Sequence, residues 1–175
     1  MWKQDRLKRK AQKTLLFVGE GPTEKAFLDY LKELYHQRWS GISIKNKSAD
    51  GGSPDDIIRK AVKWVQFESY DNGCVLLDAD IPIPEPSRKK ASQKGINLYI
   101  PSPCIEGLFL KILGDFSHIN PDTQSCKSEF HRKYLTEDEA TEKDNYRKIF
   151  PKELLDRNRT IPPLDALIRI FEKAS

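Results

Sequence analysis

Between Thr14 and Leu34 the chain reads TLLFVGEGPTEKAFLDYLKEL, and no other stretch restricts the fold as strongly. Leu15, Leu16, Phe17 and Val18 form a short continuous apolar run that breaks into Gly19, Glu20, Gly21 and Pro22, as a buried strand does on entering a tight turn. Pro22 suits the first position of a helix, where its missing N–H costs nothing, and Phe27, Leu31 and Leu34 recur with helical spacing. Strand, turn and helix in this order set Glu20 at the carboxyl end of a strand, where open parallel sheets bind their ligands. A carboxylate there needs a reason.

The rest of the chain repeats the pattern. Ile42 and Ile44 alternate with polar neighbours in GISIKNK, which predicts a short second strand. Asp50-Gly-Gly-Ser-Pro54 reads as a turn in which Ser53 caps a helix and Pro54 opens it. Ile57, Ile58, Ala61, Val62 and Val65 line one face of that helix and leave Arg59, Lys60 and Lys63 outside. A third strand, Cys74 to Leu77, ends in Asp78-Ala-Asp80. Pro82, Pro84 and Pro86 predict a stiff loop leading into Arg88, Lys89, Lys90 and Lys94. A fourth strand, Ile96 to Ile100, leads through Pro101-Ser-Pro-Cys-Ile-Glu106 into a helix carrying Leu108, Ile112 and Leu113, with Glu106 in its first turn. The order β-α-β-α-β-β-α predicts a doubly wound α/β sheet with right-handed crossovers, so the acids that close its strands share one edge.

At 175 residues the chain is the size of one domain, domains running to roughly 100–200 residues. We divide it into a basic arm (1–13), a core (14–114) and a polar, largely helical C-terminal extension (115–175) that packs on the core. Helix-like stretches fall near 130–135 and 144–150. A last helix from Pro163 to Lys173 sets Leu164, Leu167, Ile168 and Phe171 on one face. Nothing approaches the roughly 18 consecutive apolar residues of a membrane span. The N-terminus is basic but lacks the apolar segment of a signal peptide, which predicts a cytoplasmic protein.

Cys74, Cys104 and Cys126 are odd in number and read as reduced thiols. Cys126, His118 and His131 match no paired metal-ligand spacing and read as scattered polar residues. The net charge is only +4, so its placement matters more than its sum. Lys3, Arg6, Lys8, Arg9, Lys10 and Lys13 against the single Asp5 suit either a nucleic-acid arm or a solvated terminus.

Glu20, Glu24, Asp78, Asp80 and Glu106 would crowd one edge, and like charges cannot all stay ionised there unless something positive sits among them. Hard oxygen ligands suit Mg²⁺ or Mn²⁺, one ion or two, which can activate water and stabilise the leaving oxygen of a phosphodiester. Arg88, Lys89, Lys90 and Lys94 follow the Asp78/Asp80 loop and predict a cationic rim for nucleic acid, DNA or RNA.

Glu20-Gly-Pro-Thr-Glu24, Asp78-Ala-Asp80 and Ser102-Pro-Cys-Ile-Glu106, each after an apolar strand, resemble the metal-binding motifs of the Toprim domain shared by topoisomerases, primases and the OLD and RloB-like nucleases. With Gly51-Gly-Ser-Pro54 they are most similar to the RloB-like group, over about residues 14–113. The resemblance implies a Rossmann-like, mostly parallel four-stranded sheet with helices on both faces and a helical tail. It implies that Glu20 acts as acid/base or metal ligand, that Asp78 and Asp80 hold Mg²⁺, and that Glu24 and Glu106 are further ligands. Tyr146-Arg-Lys148 is similar to a Tyr-x-Lys of RloB-like tails, whose lysine would steady a phosphate. A nuclease in a restriction or phage-defence setting follows, with an ATPase encoded nearby as a possible partner.

Three other readings compete. Gly19-Glu-Gly21 opens like a dinucleotide fingerprint, but Glu24 stands where its third glycine belongs and acids would repel a pyrophosphate. An aspartate-nucleophile phosphatase also uses Asp-x-Asp, though on its first strand and with no use for Glu20. The stronger rival is a non-catalytic nucleic-acid-binding or partner-binding Toprim subunit of an ATPase-containing complex.

Overall fold

The computed structural model describes residues 13–37 and 39–173, and most of the basic arm lies outside these. The protein is α/β, with four parallel strands in the order β2-β1-β3-β4. These are β1 (Lys13–Gly19), β2 (Ile42–Ser48), β3 (Asn72–Leu76) and β4 (Ile96–Tyr99). Four helices alternate with them: α1 (Pro22–Tyr35), α2 (Pro54–Phe67), α3 (Glu85–Gln93) and α4 (Ile105–Leu113). The extension adds α5 (Thr123–Lys133), α6 (Lys143–Ile149), α7 (Lys152–Arg157) and α8 (Leu164–Lys173). Among the described residues, no helix is long and apolar enough to cross a membrane.

The central strands are apolar on both sides because both faces are covered. Leu16 and Val18 of β1 join Val75 and Leu77 in a layer with Ile57, Ile58 and Ala61 of α2 and Ala91 of α3. Phe17 points the other way, with Cys74 and Leu76, into a layer built by α1, α4 and the extension. Within that layer Phe109 of α4 packs on Phe27, Phe130 and Phe150 with ring centroids 4.8, 5.0 and 5.2 Å away. Such pairs add about 0.5–1.5 kcal/mol each beyond their buried area. Phe171 of α8 stacks on Phe17 at 5.9 Å, so the predicted docking of the last helix is made on the sheet itself.

The observed order is β-α-β-α-β-α-β-α, with α3 where a stiff loop was expected. Two physical facts account for it. Parallel neighbours such as β3 and β4 need a crossover, and Pro84 and Pro86 fall at the helix cap and in its first turn, where a proline's missing N–H is no loss. Ser87 then fastens α3 to α2 through its hydroxyl, 2.6 Å from Asp55 Oδ1.

From β1 the chain turns toward β2, and from β3 it turns toward β4, so the crevice between the carboxyl ends of β1 and β3 is the topological switch point.

Candidate metal centre

Three local structures aim acids into this crevice. Gly19 closes β1 directly beneath the start of α1, where a Cβ would lie 2.8 Å from both Glu24 Cβ and Lys25 N, so a side chain there would force strand and helix apart. The Glu20 N–H donates to Leu76 O at 2.9 Å, while Glu20 O accepts from Gly51 N of the turn after β2 at 2.9 Å. That turn runs left-handed through Asp50, Gly51 and Gly52, which suits its glycine pair. Glu24 folds back over the helix start and accepts the Gly21 N–H at 2.8 Å, the half of a capping box that a glycine cap allows.

The loop after β3 completes the frame. The Asp78 N–H donates to Glu20 Oε2 at 3.0 Å, and Asp78 Oδ1 accepts the Ile105 N–H at 2.9 Å. Glu20 is thereby turned toward Asp78, and Asp78 is fixed to the first turn of α4, where Glu106 follows one residue later. Ligand atoms of Asp78, Cys104 and Glu106 all lie within 4.8 Å of one another.

Burial makes the cluster electrostatically tense. Glu24 is 6% exposed, Asp78 3% and Glu106 3%. Burial first, then the charges of Glu24, Glu106 and Glu20, push the Asp78 carboxyl up to about 8. Burial and then Glu106 push Glu24 up to about 7. Glu106 goes the other way: burial would raise it, but His131 and Lys127 outweigh burial and hold it below its ordinary value. Its Oε2 is nonetheless buried with no hydrogen-bond partner among the described residues, a costly state for a carboxylate oxygen.

Both cations come from α5. Lys127 Nζ is 3.6 Å from Asp78 Oδ2, and His131 Nε2 is 3.7 Å from Glu106 Oε1. His131 Nδ1 lies 2.8 Å from Leu135 O, which orients the ring, and the Glu106 carboxylate raises the imidazole above its usual value. Neither residue stood out in the sequence, where His131 read as scattered polar. Their only advance signal was helical spacing, i and i+4, on either side of Phe130. Cys126, on the same helix, is buried, and all three cysteines are free thiols.

The structure thus gathers Glu20, Glu24, Asp78 and Glu106. Asp80, two residues beyond Asp78, is exposed and makes no hydrogen bond or ion pair among the described residues. Lys148 is exposed on α6, where its charge acts on Glu139; the lysine that meets the acids is Lys127. The predicted cationic rim is also displaced. Arg88, Lys89, Lys90 and Lys94 are all exposed, but α3 must run antiparallel to the strands it connects, so it carries them away from the acids. Arg88 lines a shallow cleft with Asn72, Gly95 and Ile96, at the amino ends of β3 and β4, on the opposite edge of the sheet.

Compared with protein-family models, with curated proteins and with solved structures, the chain matches none.

Proposed function

We propose that the protein is a divalent-metal-dependent nuclease of Toprim type, hydrolysing phosphodiester bonds of DNA or RNA at the carboxylate cluster between β1 and β3. The observation that carries this reading is the uncompensated charge. Among the described residues Glu20, Glu24, Asp78 and Glu106, when ionised, face only Lys127 and a charged His131, which leaves two negative charges, as many as one Mg²⁺ or Mn²⁺ neutralises. The unpartnered Glu106 Oε2 and the raised carboxyls of Asp78 and Glu24 fit such an ion, because a cation would supply the partner and displace the protons.

Asp78 and Glu106 would hold the ion, with Glu24 and Asp80 as further oxygen donors. A bound ion would polarise the phosphate and activate a water. Glu20, one of whose oxygens is engaged by the Asp78 N–H, keeps the other for a proton. Lys148 and the basic residues of α3, Arg88, Lys89, Lys90 and Lys94, would contact nucleic acid away from the reacting bond. A cytoplasmic location, a restriction or phage-defence setting and an ATPase partner belong to the same reading through the Toprim resemblance.

The test incubates purified protein with plasmid, single-stranded DNA and RNA in Mg²⁺, Mn²⁺ or EDTA, beside Glu20→Gln and Asp78→Asn/Asp80→Asn variants. Metal-dependent cleavage lost in both variants is expected, and cleavage that survives EDTA and both variants would overturn the reading. One observation favours a second reading, a non-catalytic binding subunit: Lys127 already supplies the cluster with a cation of its own. Binding of nucleic acid with no cleavage under any condition would select it.

A further inference from the structure

Lys127 is an odd neighbour for a cation site. Its ammonium lies 3.6 Å from Asp78 Oδ2, too far for a good hydrogen bond, and none to any other group is made among the described residues. Its side chain is 40% exposed while that of Asp78 is 2% exposed, so the stem reaches in from solvent over a buried acid. The charge acts on Glu106, Asp78 and Glu24 together, yet Glu106 Oε2 still has no hydrogen-bond partner among the described residues. The lysine therefore compensates the cluster in part and is locked to no member of it.

We propose that Lys127 is a tethered stand-in for the divalent ion, holding the acids together in the metal-free protein and giving up its place beside Asp78 when the ion binds. This rests on the metal-dependent reading above and adds to it a residue that sets metal affinity. An ion held by Asp78 would face the ammonium at close range, and two cations sharing one carboxylate repel. Because the ammonium hangs on a flexible four-carbon stem with an open path to water, it can withdraw without disturbing α5, which Phe130 anchors in the core. His131 has no such freedom, since its ring is tied to Leu135 O. The two cations that α5 brings to the acids thus differ in kind: His131 is a fixed support for Glu106, and Lys127 is a displaceable competitor.

The sign of the expected effect separates this from a structural role. Removing a structural residue loosens a site, whereas removing a competitor tightens it. Mn²⁺ binding by the whole chain is measured by electron paramagnetic resonance for the wild type, Lys127→Met, Lys127→Arg and Glu106→Gln. Lys127→Met should bind Mn²⁺ about ten- to a thousandfold more tightly, the range over which one neighbouring charge alters a carboxylate's affinity for a proton. Lys127→Arg, which keeps the charge, should stay near wild type, and Glu106→Gln should lose affinity. If Lys127→Met does not fold without metal, it is refolded in Mn²⁺ and its affinity is taken by back-titration with a chelator, with the same expectation. Unchanged or weaker binding by Lys127→Met would overturn the proposal while leaving the metal-dependent reading intact. Absence of Mn²⁺ binding by the wild type and Lys127→Met alike would overturn both.

Discussion

α3 and α5 are both short helices studded with basic residues, and they put those residues to opposite uses. α3 carries Arg88, Lys89 and Lys90, with Lys94 just beyond, all exposed and outside any ion pair among the described residues. α5 delivers only Lys127 and His131 to the acids, yet those two meet Asp78 and Glu106 at 3.6 and 3.7 Å. Charge density along the chain did not decide which helix serves the cluster. Topology did: α3 is a crossover that must return the chain to the amino edge of the sheet, whereas α5 packs beside α4, whose first turn carries Glu106.

The sharpest way to break this contrast is to unseat α5. Phe130 is fully buried against Phe109, and Phe130→Ala should cost ~3–5 kcal/mol. At about 2–4 °C per kcal/mol for a chain of this size, thermal denaturation would show a Tm lower by roughly 10 °C. Loss of an α3 charge such as Lys89→Ala should leave stability within ~0.5 kcal/mol.

Next in size is the chemistry. Asp78→Asn should lower the rate of metal-dependent cleavage by about 10²–10³-fold, as when one electrostatic stabiliser is removed from an active site. Cleavage assays on matched substrates would show a much smaller loss for Lys89→Ala/Lys90→Ala, through binding alone.

Metal-free stability should depend on pH with an unusual sign. Carboxyls titrate near about 4 in an unfolded chain, but in the folded protein Glu24 is pushed up to about 7 and Asp78 to about 8. Between those limits the folded state holds more protons than the unfolded one, so stability is full below the unfolded value and is lost as pH rises through the folded ones. In EDTA the Tm should therefore fall by several degrees between about pH 6 and about pH 8.5, and Asp78→Asn should flatten the curve. A Tm that rises over that interval would mean that the acids are better compensated than their burial allows.

The smallest effect belongs to α3. Each of Lys89 and Lys90 that contacts a phosphate should reduce the slope of log affinity against log salt by about 0.7–0.9 in a nucleic-acid titration. No change in slope would remove α3 from the binding surface.

Much of this was legible in the sequence, for identifiable reasons. Strand ends announce themselves, because an apolar run that stops at Gly19-Glu20 or at Asp78 marks both the edge of the sheet and the acid placed there. Ser53 and Pro54 marked the start of α2, and the Ser53 hydroxyl does accept the Asp56 N–H. The hidden parts have a common cause, which is distance along the chain. Nothing near residue 127 reports on residue 78, so Lys127 and His131 could be found only once α4 and α5 were packed together. Asp78 and Asp80 show the same limit at short range: two residues apart in one motif, one is sealed in the crevice and the other stands in water. α3 was concealed by its prolines, which suggest a loop until their places in the first turn are known.

The account stands on the claim that the acids between β1 and β3 form a seat for a divalent ion. Thermal unfolding near neutral pH, with and without Mn²⁺, tests it most directly on the wild type and Asp78→Asn. A gain of several degrees for the wild type and none for Asp78→Asn is predicted, since an ion that binds only the folded state raises its Tm. Equal gains in both proteins, or no gain in either, would contradict it.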